Sequence, residues 1–159
     1  MIKLNRTTEY GLMALRHMSR KRASEAFGLT SAREISDLYG LPFEITAKTL
    51  QRLKDTGLIQ SAQGARGGYT LQRSLNEVNL AEFLEMMEGP QSVVACAGPE
   101  ALNKKQAPRS SCEYSTQCEI KSMMNGLNSR VFKFLAGIRL DELAEEDFRT
   151  LASLTGHEP

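Results

Sequence analysis

A chain of 159 residues, 41% hydrophobic and 25% charged, is long enough to bury one good core. It nowhere reaches the ~18 consecutive apolar residues of a membrane span, and its first residues hold no apolar run fit for a signal peptide, so a cytoplasmic protein with no membrane partner is expected. The formal net charge of +1 hides an asymmetry, because residues 1–73 carry 12 Lys and Arg against 6 Asp and Glu while residues 74–159 carry 8 against 13; only the first half suits a polyanion.

In chain order, residues 6–22 are predicted to form a helix with Tyr10, Met13, Ala14, His17 and Met18 on one apolar stripe and Leu12 and Leu15 beside it. Arg16, Arg20, Lys21 and Arg22 crowd its end, where cations answer the helix dipole, with phosphate contact as the second reading. His17 reads as a packed or surface histidine, since no second histidine lies near it. Ser31 and Glu34 make a capping box opening a short helix through Ile35 and Leu38 that stops at Gly40. Pro42 opens a second helix running to about Thr56, with Ile45, Thr49, Leu50 and Leu53 inward and Gly57 as its left-handed cap. Two short helices on a glycine turn form a helix-turn-helix, whose second helix enters the DNA major groove. Glu44, Lys48, Gln51 and Asp55 share the exposed face of that helix, with Thr46, Ala47, Arg52 and Lys54 near it. Lys48 and Gln51 can donate to purine edges and Glu44 can accept from cytosine N4, although a charged outer face is ordinarily only solvated.

Two strand-like runs, Leu58 to Ser61 and Gly68 to Leu71, flank a glycine-rich hairpin at residues 62–67 with Arg66 at its tip, which makes a wing able to reach a phosphate or a narrow minor groove. The order helix, helix, turn, helix, strand, basic hairpin, strand is more specific than any one piece and points to double-stranded DNA. Residues 75–88 read as strand-to-helix, with Val78, Leu80, Phe83, Leu84 and Met87 apolar, ending at Gly89 and Pro90. Then come all three cysteines, Cys96, Cys112 and Cys118, in a stretch of Gly, Pro, Lys and Ser that buries too little apolar surface to order itself. In a reducing compartment an odd set of three thiols points to a metal or iron-sulfur site. A Cys112 to Cys118 thiol switch, a zinc site, or no chemical role are the alternatives. Ile120, Met123, Met124, Leu127, Val131, Phe134 and Leu135 then form the longest periodic stripe, suited to packing helix against helix in a homodimer. Leu140, Leu143, Phe148, Leu151 and Leu154 suggest a short closing helix. An enzyme is not expected: there is no phosphate-binding glycine loop, no nucleophile beside a base, and only two histidines, His17 and His157.

The expected architecture is therefore mainly α with a small β-wing, a winged helix-turn-helix domain over residues 1–90, a cysteine-bearing loop over 91–118, and a dimerisation helix with closing segment over 119–159. Residues 1 to about 144 resemble the IscR- and NsrR-type family of bacterial winged-helix regulators. The resemblance rests on the stretch from Thr8 to Leu15, Glu34 with Ile35, Leu50 with Leu53, Gly57 to Ile59, the wing from Gly64 to Tyr69, the three cysteines, and Leu140 with Leu143. It implies a homodimer on promoter DNA, contacting it also through Gln63, Gly64, Arg66 and Tyr69, and carrying a [2Fe-2S] or [4Fe-4S] cluster on Cys96, Cys112 and Cys118. It also implies a variable fourth ligand, here Glu9 from the partner's first helix; Glu113 and Glu119, adjacent to cysteines in this sequence, stand behind it. Gln63 stands where the usual wing has arginine, so Arg66 is left to supply the groove contact. The first cysteine gap of 15 residues is longer than the compact spacing in the resemblance, and Lys121, which cannot ligate while protonated, replaces a histidine.

Overall fold

Asn5 begins the fold: its Oδ1 accepts the backbone N–H of Thr8 at 2.8 Å and so caps helix α1 (Arg6–Ser24). The computed structural model describes residues 4–24, 28–63, 67–93 and 118–145; Cys96, Cys112, Glu113, Gly64, Arg66, Phe148, Leu151 and Leu154 lie outside the described residues. Along α1 the buried face is Tyr10, Gly11, Ala14, Leu15 and Met18.

At the start of α2 (Ala32–Tyr39), Ser31 Oγ accepts the Glu34 backbone N–H at 3.1 Å, as the capping box requires. Gly40, at φ 63°, turns the chain in the left-handed region after α2, and the turn is locked from both sides. Leu41 N–H donates to Ser36 O at 2.9 Å while Ser36 Oγ donates to Leu41 O at 2.7 Å. Helix α3 (Phe43–Asp55) follows and ends in a Schellman motif around Gly57, with Leu58 N–H donating to Leu53 O at 3.1 Å and Gly57 N–H to Lys54 O at 2.9 Å.

The antiparallel hairpin pairs β1 (Ile59–Ala62) with β2 (Gly68–Leu71), Ile59 opposite Leu71 and Ala62 opposite Gly68. Thr30 adds a bridge to Tyr69 through N–H···O bonds of 2.9 and 2.8 Å, fastening the entry to α2 onto the hairpin. There an added Cβ on Gly68 would stand 3.0 Å from the Thr30 carbonyl oxygen, tighter than ordinary contact, so a larger residue would press on the bridged backbone. Where a strand was expected, residues Leu75–Glu77 form a 3-10 turn that sets Leu75 and Val78 into the core. Helix α4 (Leu80–Glu88) is capped by Asn79, whose Oδ1 accepts the Glu82 N–H at 2.9 Å.

Beyond Cys118 runs α5 (Lys121–Ala136), and α6 (Leu140–Glu145) brings the chain back to α1. The return is fixed by backbone bonds, Leu80 N–H to Ile138 O at 2.8 Å and Leu140 N–H to Val78 O at 3.0 Å, which place Leu140 in the core at 3% exposure. Leu15, Met18, Ile35, Leu50, Leu53, Leu58, Ile59, Val78 and Phe83 are almost wholly buried there. Cutting any large one to alanine removes about 2–5 kcal/mol. The result is the expected mainly helical winged helix with a small two-stranded sheet and a long following helix.

Candidate nucleic-acid interface and cysteine loop

Helix α3 buries Thr46, Thr49, Leu50 and Leu53 and leaves Glu44, Lys48, Gln51 and Asp55 exposed along the opposite side. Two expectations are corrected by this phasing. Thr46, placed by sequence on the DNA-reading face, is 1% exposed and spends its hydroxyl on Pro42 O at 3.0 Å. Ile45, expected inward, is 38% exposed, since the i, i+3, i+4, i+7 face begins one residue later at Thr46. Gln51 donates one amide hydrogen to Asp55 Oδ1 at 2.8 Å, which leaves its second amide hydrogen and Oε1 for a base edge. Arg52 is exposed but turned toward α4, its Nε donating to Met86 O at 3.2 Å.

Gln63 is exposed just after β1, whereas Tyr69 of β2 is half-buried and packs on the core. The basic end of α1 is tied to α2 by one carboxylate: Glu34 Oε1 accepts Lys21 Nζ at 2.7 Å and lies 2.8 Å from His17 Nε2. Burial pushes the Glu34 carboxyl upward, but hydrogen bonds from Lys21 and His17, the Lys21 charge and the Ser31 backbone N–H together hold it below 4.5. His17 also stands edge-on to Tyr39, with ring centroids 5.8 Å apart, the packed histidine expected from sequence.

The other end of the domain frames the cysteine segment. Cys118, the one described thiol, is free and half-buried two residues ahead of the α5 N-cap. At the segment's entry, Val93 N–H donates to Asn128 Oδ1 of α5 at 2.8 Å. Just before it, Glu88 Oε1 accepts the Asn5 N–H at 3.0 Å and lies 2.6 Å from the Thr8 hydroxyl, joining the end of α4 to the start of α1. Glu9, the next residue of α1, is exposed. Among the described residues no three His, Cys, Asp or Glu side chains converge on a metal position, two of the three thiols being outside that set.

Residues 4–146 match the model of a family described as Rrf2, iron-dependent transcriptional regulator. The chain belongs to the Rrf2 family. The protein is similar to the HTH-type transcriptional regulator IscR of Pectobacterium atrosepticum, 26% identical over 138 residues that cover 87% of this chain and 78% of that one. It is similar also to NsrR of Shouchella clausii, 22% identical over 152 residues, 94% of this chain and 95% of that one. Among solved structures its fold resembles CymR, the global cysteine regulator of B. subtilis, at TM-score 0.66, 22% identity, and coverage of 92% of this chain and 100% of the other. It resembles T. potens IscR at TM-score 0.62 and 18% identity over 99% and 93% of the two chains. This Rrf2 protein is thus a winged-helix transcriptional regulator, and none of its described helices is long and apolar enough to cross a membrane.

Sequence reasoning on the Rrf2 chain missed three elements of the site. Asn5 as the cap of α1 was legible, an asparagine just ahead of an apolar period. The Glu88 and Asn128 contacts were not, because each joins residues more than thirty positions apart.

Proposed function

We propose that this Rrf2 regulator is a cytoplasmic homodimer that binds double-stranded promoter DNA, its affinity set by an iron-sulfur cluster, [2Fe-2S] or [4Fe-4S], on Cys96, Cys112 and Cys118. The observation that carries the DNA part is the polar stripe of Glu44, Lys48 and Gln51 exposed on α3 in a basic half of the chain, followed in sequence by the hairpin whose residues Gln63, Gly64 and Arg66 are the proposed wing contacts. The cluster reading is supported by a donor set of three soft thiols in one segment, the described one free, and by the iron-dependent description of the family. Glu9 of the partner subunit is the proposed fourth ligand, its place on α1 exposed and unobstructed by a hydrogen bond of its own side chain among the described residues.

Dimerisation is proposed through α5, where Met123, Leu127 and Phe134, with Ile120 at the N-cap, lie exposed at spacings of three, four and seven residues from Ile120 onward. A bound cluster supplies ligand bonds that convert into ordering free energy for residues 91–118. The chain's own contacts pass that ordering on. Asn128 holds the segment's entry on α5, Cys118 leads directly into the same helix, and Glu88 holds α1 at the N-terminal turn. Shifting these anchors changes the separation of two α3 helices, which meet successive half-sites only near one helical turn, ~34 Å. The test is promoter affinity of the full chain and of Cys112→Ala, purified without oxygen: at least about a tenfold change is expected, in line with typical coupling. Unchanged affinity with full cluster content in the variant would sink the reading.

A further inference from the structure

Arg33, the second residue of α2, places its guanidinium carbon 4.9 Å from the ring centroid of Phe43, the first residue of α3. Both ends of this pair face solvent. Phe43 is 44% exposed and Arg33 is exposed, and among the described residues Arg33 makes no hydrogen bond or ion pair that would explain its position. An isolated exposed phenylalanine is unremarkable on a surface. This one stands at the N-terminus of the recognition helix, the end whose residues meet base edges, one position before Glu44. The major groove offers one apolar feature there, the C5-methyl of thymine, and an aromatic ring is a suitable partner for it. The first helix of such a motif crosses the phosphate backbone, which is where the α2 cation sits.

We infer that Arg33 and Phe43 form a two-part contact for thymine-containing DNA, Phe43 packing on a thymine methyl while Arg33, braced over the ring, contacts the neighbouring phosphate. The inference rests on α3 being the base-reading helix and adds a base preference to it. It differs from the polar stripe in what it reads, since no hydrogen bond is exchanged with the base. The cation over the ring stabilises the pair before DNA arrives, so less side-chain freedom is lost on binding.

The experiment uses the full-length protein and duplexes it selects from a random library, followed by single thymine-to-uracil replacements that remove only the methyl. Each single replacement is expected to weaken wild-type binding about fourfold, the value of one buried methyl group. Phe43→Ala should bind the thymine and uracil duplexes equally, while Phe43→Leu keeps part of the difference. Arg33→Ala should weaken binding to all duplexes and lower the salt slope by about one per subunit. Because the base is altered rather than the protein, the uracil series is independent of any folding defect in the variants. Selection of a defined sequence without any uracil effect, or a uracil effect that persists in Phe43→Ala, would overturn the inference and leave the recognition helix standing. Failure of the wild type to select any sequence would overturn both.

Discussion

Glu34 shows how one side chain links the DNA-binding element to the rest of the domain. Its carboxylate joins Lys21 and His17 of α1 to the first turn of α2, with the two side chains of the Lys21 pair 17% and 33% exposed. Because its folded-state pKa lies below the ordinary 4.5, the unfolded chain takes up this proton first as acid is added. The stabilisation is therefore complete above pH 4.5 and is lost as the pH falls through the folded-state value beneath it. Glu34→Gln is expected to cost no more than about 1 kcal/mol at neutral pH, the range of partly exposed pairs, and to flatten this part of the acid limb. Denaturant melts of both proteins from pH 7 to pH 3 check it, and an unchanged acid limb in the variant would contradict the assignment.

Helix α3 has a buried face that carries stability and an exposed polar face that is the proposed DNA-reading surface. Lys48→Ala and Gln51→Ala should each weaken binding to a selected duplex by about 1–3 kcal/mol with little loss of stability, measured by titration and thermal melting. Thr46→Ala should do the reverse, since its hydroxyl and methyl are buried against the domain. How much of this was legible follows from what local rules encode. The capping box at Ser31, the left-handed Gly40 and Gly57, and the strands at the wing depend on neighbours within a few residues, and the structure has all of them. Ile45 and Thr46 were misplaced because α3 starts without a side-chain cap at Pro42, and apolarity alone puts isoleucine inside ahead of threonine. The turn at Leu75–Glu77 was read as strand because apolar alternation over so short a run fits either, and it is the pairing of Leu80 with Ile138 that decides.

Across the whole molecule, the long-range contacts that sequence periodicity cannot supply are the ones that join the parts. Leu140 completes the core from the far end of the chain, Asn128 holds Val93 at the entry to the cysteine segment, and Glu88 ties the end of α4 to the start of α1. The apolar period of α5 was legible as a stripe, and the structure leaves Phe134 70% and Met123 60% exposed within it. With α5 as the dimer surface, Phe134→Glu is expected to shift the protein from dimer to monomer at micromolar concentration, read by sedimentation, with the core unaffected; a variant that remains dimeric would move the interface elsewhere. The central claim of the proposed function is the cluster on the three thiols, Cys96, Cys112 and Cys118. The most direct test is therefore a visible absorption spectrum with iron and acid-labile sulfide assays on protein purified without oxygen. The proposed function predicts a brown protein with iron and sulfide near cluster stoichiometry, lost in Cys118→Ala. A colourless protein that also refuses reconstitution would contradict the cluster and leave a DNA-binding Rrf2 regulator whose thiols act without one.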